Sequence, residues 1–565
     1  MLATSILRLS TRRAALRYEQ ATWNPAEMQL GRLLSIIDKN SETVYGKRYG
    51  FGSIRGIADY QRQVPVITYE HIRAEVDRMA AGEQNILTAA RPIMFARTSG
   101  TTGRPKYIPV TAECRRNERN GFARTWVYHV LAAHHDIRRL KIVSLVSPAV
   151  EGCTSAGVPY GSTSGSIYKS MPAVVRRYYA IPYDVFEIED YQAKYYAITR
   201  LGLEQNVAVI CTANPSSILM MCEKADEFSE SIIRDIHDGT LSRRMPIDPK
   251  IRTRIERRLT PNRERAAFLA TARDRRHGIL KPADYWPDMG LIGCWKGGTV
   301  GHYIEKFPPW FNPDGDRYVP IRDWGYLSSE ARCSIPISDE GSAGVLAVES
   351  SFYEFVPAEE VTADPEDPAA WTFLTTEQIQ DGREYYVILT TTGGLYRYNI
   401  NDVVRVEGCH NSTPQIAFVR KGGGMTNLTG EKISVDQVIE AFGAAAEKTD
   451  TPLTHFKAEA DLNGSRYILR VEFQEDPPEE RQRLFLKCVD EHLKVLNIEY
   501  KAKRDSMRLA PPALHVMRRG WFEQTQRELV TSGARAFQSK TELLSARGPE
   551  SADAEPQTDR VIEIK

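Results

Sequence analysis

The feature that most constrains this sequence is a run rich in glycine and hydroxyl residues, Phe95-Ala-Arg-Thr-Ser-Gly-Thr-Thr-Gly-Arg-Pro-Lys106, which begins on an apolar stretch ending at Ala96. Glycines let backbone N–H groups approach phosphate oxygens, hydroxyls donate further hydrogen bonds, and Lys106 adds a positive charge. It is not a Walker A loop, because a proline precedes the lysine. An ordinary surface turn is the alternative. We predict a phosphate-binding loop formed by Thr98, Ser99, Gly100, Thr101, Thr102, Gly103 and Lys106.

Composition places the chain among soluble globular proteins. Its 565 residues are 42 % hydrophobic and 26 % charged, and the net charge of +1 gives no reason to expect nucleic acid or a membrane as a partner. We interpret the arginine-rich start as a surface helix and not as a transit peptide. The eight cysteines are scattered without a Cys-x-x-Cys pair, which favours a reducing cytoplasm over a disulfide framework or a zinc site.

Periodicity predicts a mixed α/β (α+β) fold with a large and a small domain. Apolar residues from Met28 to Ile37 indicate a helix, and strands are predicted at Ile142–Val146, Val207–Ile210, Gly344–Val348, Phe352–Val356, Tyr385–Leu389 and Gln415–Val419. Ser216 or Ser217 is expected to cap the helix after the second of these strands. The basic segment from Lys250 to His277 keeps a helical apolar stripe and is expected to be a solvated helix face, with a nucleic-acid surface as the alternative.

A glycine-rich hinge separates the two predicted domains. Arg420-Lys-Gly-Gly-Gly424 precedes a compact pattern of helices at Ser434–Ala446 and Pro478–Leu496 and strands at His455–Ala460, Arg466–Phe473 and Leu514–Met517. The predicted domains are therefore residues 1–420, a small mobile domain at 421–546, and a disordered tail at 547–565.

Two further motifs suggest nucleotide chemistry. In Trp324-Gly-Tyr-Leu-Ser-Ser-Glu330, the ring of Tyr326 is suited to stacking on a purine and the carboxylate of Glu330 to holding Mg²⁺, with Ser329 beside it. In Gly394-Leu-Tyr-Arg-Tyr-Asn-Ile-Asn-Asp402, a fixed carboxylate at Asp402 is suited to accepting hydrogen bonds from ribose hydroxyls. Taken singly, each of these residues is more often structural.

The order of these motifs resembles the adenylate-forming superfamily, and in detail the Gretchen Hagen (auxin-responsive) family of acyl acid amido synthetases. The resemblance covers residues 28 to 545 approximately and rests on five segments, Asn40…Thr43-Val-Tyr-Gly46, Ala213-Asn-Pro-Ser216, Trp295-Lys-Gly-Gly298, Ser350-Ser-Phe-Tyr-Glu-Phe355 and Gly394-Leu-Tyr-Arg-Tyr398. Asn401 stands where the family has glycine, which is tolerable because asparagine accepts left-handed backbone angles.

The resemblance implies a large adenylate-forming domain, with a small C-terminal domain, that consumes ATP with Mg²⁺. A carboxylic acid would be adenylated with release of pyrophosphate, and an amine, typically of an amino acid, would then form an amide. A mobile lysine would reach the α-phosphate, with Lys540 as first and Lys432 as second candidate for a catalytic role beside Glu330. Loose positional similarity offers Asn214, Trp295 and Tyr160 for the acid. The protein is expected to be a monomer.

Two other functions compete with this one. An acyl-CoA or acyl-carrier-protein ligase would use the same adenylate with a thiol acceptor. A nucleotide-binding scaffold without turnover is disfavoured because Lys106, Glu330 and Asp402 occur together. A hydrolase is disfavoured as well, since Ser166-Ile-Tyr-Lys169 has no accompanying Lys-Thr-Gly or Ser-Asp-Asn.

Overall fold

The computed structural model describes residues 2–98, 106–116, 121–135, 137, 141–363, 367–422, 425–426, 431, 433–461, 464–505, 509–531, 543–546 and 557–564. The chain divides into two compact units, Met1–Phe418 and Val419–Lys565. The boundary predicted from the sequence lies after residue 420, and Gly423 and Gly424 of the predicted hinge lie outside the described residues.

The first unit contains α1 to α16 and strands β1 to β14, the last of which runs past residue 418. The helices are α1 Leu2–Ala21, α2 Pro25–Lys39, α3 Val44–Arg48, α4 Ile57–Gln63, α5 Tyr69–Ala80, α6 Gly121–Ala133, α7 Thr163–Lys169, α8 Ala173–Arg176, α9 Tyr191–Leu203, α10 Pro215–Glu227, α11 Ser229–Asp238, α12 Pro249–Glu256, α13 Arg263–Arg275, α14 Pro282–Tyr285, α15 Pro308–Phe311 and α16 Ala358–Ala363. The strands are β1 Pro92–Thr98, β2 Lys106–Thr111, β3 Ile142–Ser144, β4 Gly152–Cys153, β5 Pro159–Gly161, β6 Val209–Cys211, β7 Leu291–Gly293, β8 Ile321–Arg322, β9 Ser334–Ile335, β10 Gly344–Leu346, β11 Phe352–Pro357, β12 Glu384–Thr390, β13 Tyr398–His410 and β14 Thr413–Lys421.

These strands form sheets that carry the predicted motifs at their edges. One four-stranded sheet has the order β2-β1-β5-β4, a parallel four-stranded sheet has the order β3-β6-β7-β8, and a six-stranded sheet has the order β11-β12-β13-β14-β10-β9. The mixed α/β architecture predicted from the sequence is confirmed, and the predicted strands of this unit are found with end positions shifted by a few residues.

Local chemistry explains where α2 begins and which face it buries. The side chain of Asn24 accepts the N–H of Glu27, and Pro25 occupies the first helical position. Leu33, Ile36 and Ile37 are buried, as the helical spacing of apolar residues predicts. They belong to a core that packs α2, α4 and α5 against β1, β2 and the six-stranded sheet.

The helix after β6 begins differently from the prediction. Asn214, and not Ser216 or Ser217, is the N-cap of α10, and its Oδ1 accepts the N–H of Ser216 at 3.0 Å. Proline explains the shift, because Pro215 lacks an N–H and fits the first helical position, so the residue before it becomes the cap.

The second unit is a small α+β body. It contains β15 Met425–Thr426, β16 Ile433–Ser434, α17 Val435–Thr449, β17 Leu453–Asp461, β18 Arg466–Phe473, α18 Glu479–Leu496, α19 Ile498–Asp505, β19 Ala513–Met517, α20 Trp521–Thr531, β20 Leu544–Ala546 and β21 Thr558–Glu563. A capping box at Ser434 and Gln437 begins α17, and the five-stranded sheet has the order β20-β17-β18-β19-β21. The helices and strands predicted here are confirmed.

The predicted disordered tail is wrong for its last part. β21 pairs antiparallel with β19, and Ile562 is 2 % exposed against the core of the second unit. The acidic and proline-rich composition of residues 547–556, which lie outside the described residues, masked the short apolar segment that follows. That segment supplies hydrogen-bond partners for the backbone of β19, and local composition does not reveal such pairing.

The basic segment is occupied by α12 and α13, whose arginines pair with acids of the same unit. Arg254 contacts Asp184 and Glu187 at 2.7 Å, and Arg273 contacts Glu230 at 2.9 Å. These pairs fit the predicted solvated helix face. In the described part of the chain, no helix is both long and apolar enough to cross a bilayer. The eight cysteines are all described, and none forms a disulfide.

Candidate active site

The predicted phosphate loop joins β1 and β2. These strands are antiparallel, and Thr98 pairs directly with Lys106, so both ends of the loop are held in one hairpin. Ser99, Gly100, Thr101, Thr102 and Gly103 lie outside the described residues. The structure therefore positions the loop through its two anchors.

Tyr69, the first residue of α5, holds the base of Lys106. Its hydroxyl accepts the N–H of Tyr107 at 2.8 Å, and the Nζ of Lys106 lies 5.5 Å from the centroid of its ring. Burial raises the pKa of Tyr69 to about 12, so its hydroxyl keeps its proton at neutral pH. The lysine is therefore fixed at its backbone and guided along an aromatic face, as cation–π contacts allow.

Tyr326 and Asp402, which come from different motifs, meet inside the first unit. The Tyr326 hydroxyl donates to Oδ2 of Asp402 at 2.8 Å, and the two residues are 5 % and 1 % exposed. The Tyr326 ring stacks on Phe418 with centroids 5.8 Å apart. Burial and the Asp402 charge raise the pKa of Tyr326 well above its usual range, which keeps it a hydrogen-bond donor. The two residues therefore form one buried hydrogen-bonded pair, and their roles toward a nucleotide remain predictions.

A tight turn presents Glu330. The Ser328 side chain accepts the N–H groups of Glu330 and Ala331 at 3.1 and 3.2 Å, while the backbone N–H of Ser328 donates to the carbonyl of Ala331 at 2.9 Å. Glu330 and its neighbour Ser329 are half-buried at this turn. The turn therefore holds the carboxylate in a defined place without fully removing it from water.

Tyr398 links these residues electrostatically. Burial, and then electrostatic interactions with Glu330, Tyr69 and Asp402, raise the pKa of Tyr398 well above its usual range. A β-bridge between Ile67 and Tyr398 joins the segment before Tyr69, and hence Lys106, to the segment that leads to Asp402.

Asn401 adopts the backbone conformation that its position requires. Its φ is +57°, in the left-handed region, and its N–H donates to Oδ1 of Asn399 at 2.8 Å. The expectation that asparagine can replace glycine before Asp402 agrees with this geometry. The following carboxylate is thereby aimed inward, where it meets Tyr326.

The three residues suggested for the acid fall in two places. Asn214 and Trp295 follow the parallel neighbours β6 and β7, and the Trp295 N–H donates to the carbonyl of Ala213 at 2.9 Å. Such strand ends are where ligands bind in open α/β sheets. Tyr160 lies instead on β5, with its ring 5.1 Å from Tyr107 and 5.8 Å from the Arg97 guanidinium. Asn214 also has a structural role as the cap of α10.

Asp323, which was not predicted from the sequence, connects the segment after β7 to the motif Trp324–Glu330. Its carboxylate accepts the backbone N–H groups of Lys296 and Gly325, and burial raises its pKa to about 6 against the opposing effect of these bonds. Gly325 has a φ of +80°, and a Cβ there would lie 2.1 Å from the carbonyl oxygen of Ser334. Only glycine fits, so the chain turns sharply from β8 into Tyr326.

Arg332 is a second residue missed at the sequence level. Its buried guanidinium donates to the carbonyl of Ser328 and to Oγ1 of Thr163, both at 3.4 Å. Its carbonyl accepts the hydroxyls of Ser350 and Tyr353 at 3.1 and 3.3 Å. The signal available in the sequence was a cation two residues after Glu330. Arg332 therefore places a positive charge between the turn at Ser328–Ala331 and α7.

The remaining predicted residues, Lys432 and Lys540, lie outside the described residues. No group of three or more His, Cys, Asp or Glu side chains suited to a metal ion occurs among the residues that the structure describes.

Family models match most of the chain. The model of the GH3 family N-terminal domain matches residues 14–315, that of the central domain residues 344–421, and that of the C-terminal domain residues 435–549. The phosphate loop lies in the first match, Asp402 in the second and most of the second unit in the third, whereas the segment from Trp324 to Glu330 falls between the first two matches.

Relatives and solved structures agree with these matches. The probable indole-3-acetic acid-amido synthetase GH3.2 of Oryza sativa subsp. japonica is 24 % identical over 559 residues, covering 92 % of this chain and 88 % of its own. The jasmonoyl–L-amino acid synthetase JAR4 of Nicotiana attenuata is 23 % identical over 548 residues, covering 93 % and 92 %. The structure titled GH3.15 acyl acid amido synthetase is 22 % identical, covers 97 % and 96 %, and has a TM-score of 0.84, so the fold is shared. The motifs of this chain already resemble those of the family. Because the N-terminal model alone spans more than half of the sequence, the chain belongs to the GH3 family.

Proposed function

We propose that this chain is an ATP-dependent acyl acid amido synthetase that joins a carboxylic acid to the α-amine of an amino acid. The observation that carries the proposal is the buried Tyr326–Asp402 pair, which joins two of the predicted nucleotide motifs, together with Lys106 placed along the Tyr69 ring at the end of the predicted phosphate loop. The relatives named above support the reaction type. Their names differ in the acid, one being indole-3-acetic acid and the other a jasmonate, at nearly equal identity, so the acid does not transfer to this chain.

The proposed first step makes an acyl-adenylate. The acid carboxylate attacks the α-phosphorus of ATP, forming a carboxyl–phosphate bond while pyrophosphate leaves. Lys106 would neutralise the leaving phosphates, and Asp402, oriented by the Tyr326 hydroxyl, would bind the ribose. Arg332, buried beside Ser328 and Thr163, is proposed to bind the acid carboxylate, because a guanidinium can donate two parallel hydrogen bonds to a carboxylate.

The proposed second step makes the amide. A neutral amine attacks the acyl carbon, the carbon–nitrogen bond forms, AMP leaves, and the amine loses a proton. Glu330 fits a magnesium ligand, since Mg²⁺ is commonly held by one or two carboxylates and substrate phosphates. When bound, the ion would neutralise charge on the phosphate oxygens. The lysine at the α-phosphate stays a prediction, with Lys540 and Lys432 as candidates.

Replacing Tyr326 by phenylalanine tests the buried pair. The Asp402 carboxylate would lose the hydrogen bond that it accepts from Tyr326. A hydrogen bond to a charged group contributes about 1.5–3 kcal/mol, and its loss would also disturb the ribose-binding geometry of Asp402. We expect KM for ATP to rise roughly tenfold or more, measured by pyrophosphate release. Tyr196→Phe is the matched control, because Tyr196 is buried and its hydroxyl donates to Oδ2 of Asp235 at 2.7 Å, a Tyr–Asp pair outside the predicted motifs. Equal KM values in the two variants would contradict the role given to Tyr326.

The acceptor distinguishes the proposal from a thiol-using ligase. The acyl-adenylate is formed first from ATP and a panel of acids, and amino acids, coenzyme A and a carrier-protein thiol are then offered in parallel. We expect amino acids to release AMP fastest, with a rate that rises as pH approaches the pKa of the amine, because only the neutral amine is nucleophilic. Faster AMP release with either thiol would replace this function by the ligase.

We further propose a cytoplasmic monomer that binds neither nucleic acid nor membrane. Eight cysteines without a disulfide suit a reducing compartment. A net charge of +1 supplies little attraction for a polyanion. Size-exclusion chromatography with light scattering checks the oligomeric state.

A further inference from the structure

A surface of one arginine and two tyrosines lies on the sheet β2-β1-β5-β4, beside the predicted phosphate loop. Arg97 pairs with Tyr107 across the hairpin, and Phe95 pairs with Tyr160 on β5. Because residues two apart on a strand share a face, Arg97, Tyr107 and Tyr160 present their side chains on the same face of the sheet. The ring centroids of Tyr107 and Tyr160 are 5.1 Å apart, and the Arg97 guanidinium lies 5.8 Å from the centroid of the Tyr160 ring.

Gly152 makes room for the Tyr160 ring. It pairs with Tyr160 across β4 and β5, and a Cβ there would lie 2.3 Å from the Tyr160 hydroxyl oxygen and 2.6 Å from the ring carbon that bears it. Any side chain at this position would therefore displace the ring. Burial and the neighbouring Tyr160 raise the pKa of Tyr107, against the opposing effect of Arg97, so the Tyr107 phenol is uncharged at neutral pH.

Arg97 is anchored by Glu151 without being enclosed. Its Nη1 donates to Oε2 of Glu151 at 3.4 Å, and the two side chains are 26 % and 16 % exposed. Charge-assisted pairs of this kind are usually about 2.7–2.9 Å long. Within the part of the chain that the structure describes, the Arg97 side chain donates no other hydrogen bond. Glu151 has further contacts of its own, so it holds one end of the guanidinium, and the other N–H donors can meet a ligand.

The Arg97 side chain does not share the face that Lys106 uses. Lys106 is the neighbour of Tyr107 on β2, and alternation along a strand places its side chain on the other face of the hairpin. The Nζ of Lys106 lies against the Tyr69 ring of α5, whereas Arg97 lies against Tyr160 of β5. The two cations beside the loop are therefore directed at different ligands or at different parts of one ligand.

The same surface adjoins the cation that is proposed to bind the acid. Tyr160 precedes Thr163 by three residues, and Oγ1 of Thr163 accepts a hydrogen bond from Arg332. Three residues span at most about 10 Å. Arg332 and Arg97 thus contact the two ends of one short segment, which suits residues that bind the two molecules to be joined.

We propose that Arg97 binds the α-carboxylate of the acceptor amino acid, with the rings of Tyr160 and Tyr107 against the rest of the molecule. A guanidinium suits this ligand, because it can donate two parallel hydrogen bonds to a carboxylate. The inference rests on the proposed function, and it adds the residue by which an amino acid is preferred to a simple amine. It assigns to the amine the residue Tyr160, which the family resemblance offered for the acid.

Kinetics of amide formation test this role of Arg97. The acyl-adenylate is formed from the acid that releases pyrophosphate fastest, and the most rapidly conjugated amino acid of a panel is compared with its own carboxamide, which lacks the negative charge. We expect Arg97→Met to raise KM for the amino acid about ten- to hundredfold and to change KM for the carboxamide little. Each acceptor is compared between variants at one pH, so the difference in amine pKa cancels. Arg97→Lys should recover part of the loss, because lysine keeps the charge without the planar fork.

Arg405→Met is the matched control. Arg405 also lies on a strand and pairs with a glutamate, Glu384, at 3.0 Å, outside the proposed site, so both KM values should stay unchanged, and thermal melts verify that each variant is folded. Unchanged KM for the amino acid in Arg97→Met, an equal rise for both acceptors, or a rise for ATP in place of the amino acid would overturn the assignment and leave the proposed function intact. No amide from any amino acid with the wild type would overturn the proposed function and this inference with it.

Discussion

Replacing Glu354 by alanine is expected to lower the free energy of unfolding of the first unit by about 3–5 kcal/mol, because removal of one partner leaves a buried charge without its counter-ion. Oε2 of Glu354 accepts a hydrogen bond from Nε of Arg397 at 3.0 Å, and the side chains of Glu354 and Arg397 are 1 % and 4 % exposed. Arg397 also donates to the carbonyls of Gln61 and Val64, both at 2.9 Å, and its guanidinium lies 4.1 Å from the Phe373 ring centroid. This pair joins two segments on which the family resemblance rests.

Urea unfolding followed by tryptophan fluorescence measures this effect. Seven of the eight tryptophans lie in the first unit, so their emission reports mainly on its transition. Glu384→Ala is the matched control, since Glu384 pairs with Arg405 at 3.0 Å on the neighbouring strand with both side chains partly exposed, and such pairs contribute about 0–1 kcal/mol. Equal destabilisation by the two variants would contradict the importance of burial. The double variant Glu354→Met with Arg397→Met should lose less stability than Glu354→Ala, because no charge is left buried.

Replacing Lys106 by methionine is expected to slow pyrophosphate release about ten- to hundredfold, the equivalent of a lost charge-assisted contact of ~1.5–3 kcal/mol. Methionine keeps most of the apolar stem along the Tyr69 ring, so the change removes mainly the charge. AMP binding should change little, since the lysine is proposed to contact the leaving phosphates.

The measurement compares single-turnover pyrophosphate release for Lys106→Met and Lys141→Met. Lys141 is a suitable control, because it directly precedes β3 and lies outside the predicted motifs. Its Nζ donates to the carbonyl of Arg177 at 3.0 Å. Unchanged pyrophosphate release in Lys106→Met would show that the loop is not a phosphate site, whatever the family membership.

The elements of both units could be predicted because their signals are local. A capping box at Ser434 and Gln437 begins α17, and alternating apolar residues mark β18. Local reasoning was wrong where two local signals competed. Pro215 made Asn214 the helix cap in preference to the serines after it, and the composition of residues 547–556 concealed β21.

The site could be predicted only as a set of motifs. Tyr326 and Asp402 are 76 residues apart in sequence, and nothing in either segment states that the hydroxyl of one bonds the carboxylate of the other. Arg332 and Asp323 were missed for the same reason, because their importance depends on burial against Thr163 and Lys296. Asn214, Trp295 and Tyr160 were grouped by similarity, whereas Asn214 and Trp295 follow strands of one sheet and Tyr160 lies on a strand of another.

The sequence by itself therefore determined the helix and strand pattern, the left-handed turn at Asn401 and the family of the chain, since each depends on neighbours within a few residues. Only the tertiary structure decided that Glu354 neutralises Arg397 and that Tyr326 orients Asp402. The physical reason is that charge pairing and desolvation depend on distances across strands and helices, and chain folding sets those distances through the packing of the whole core.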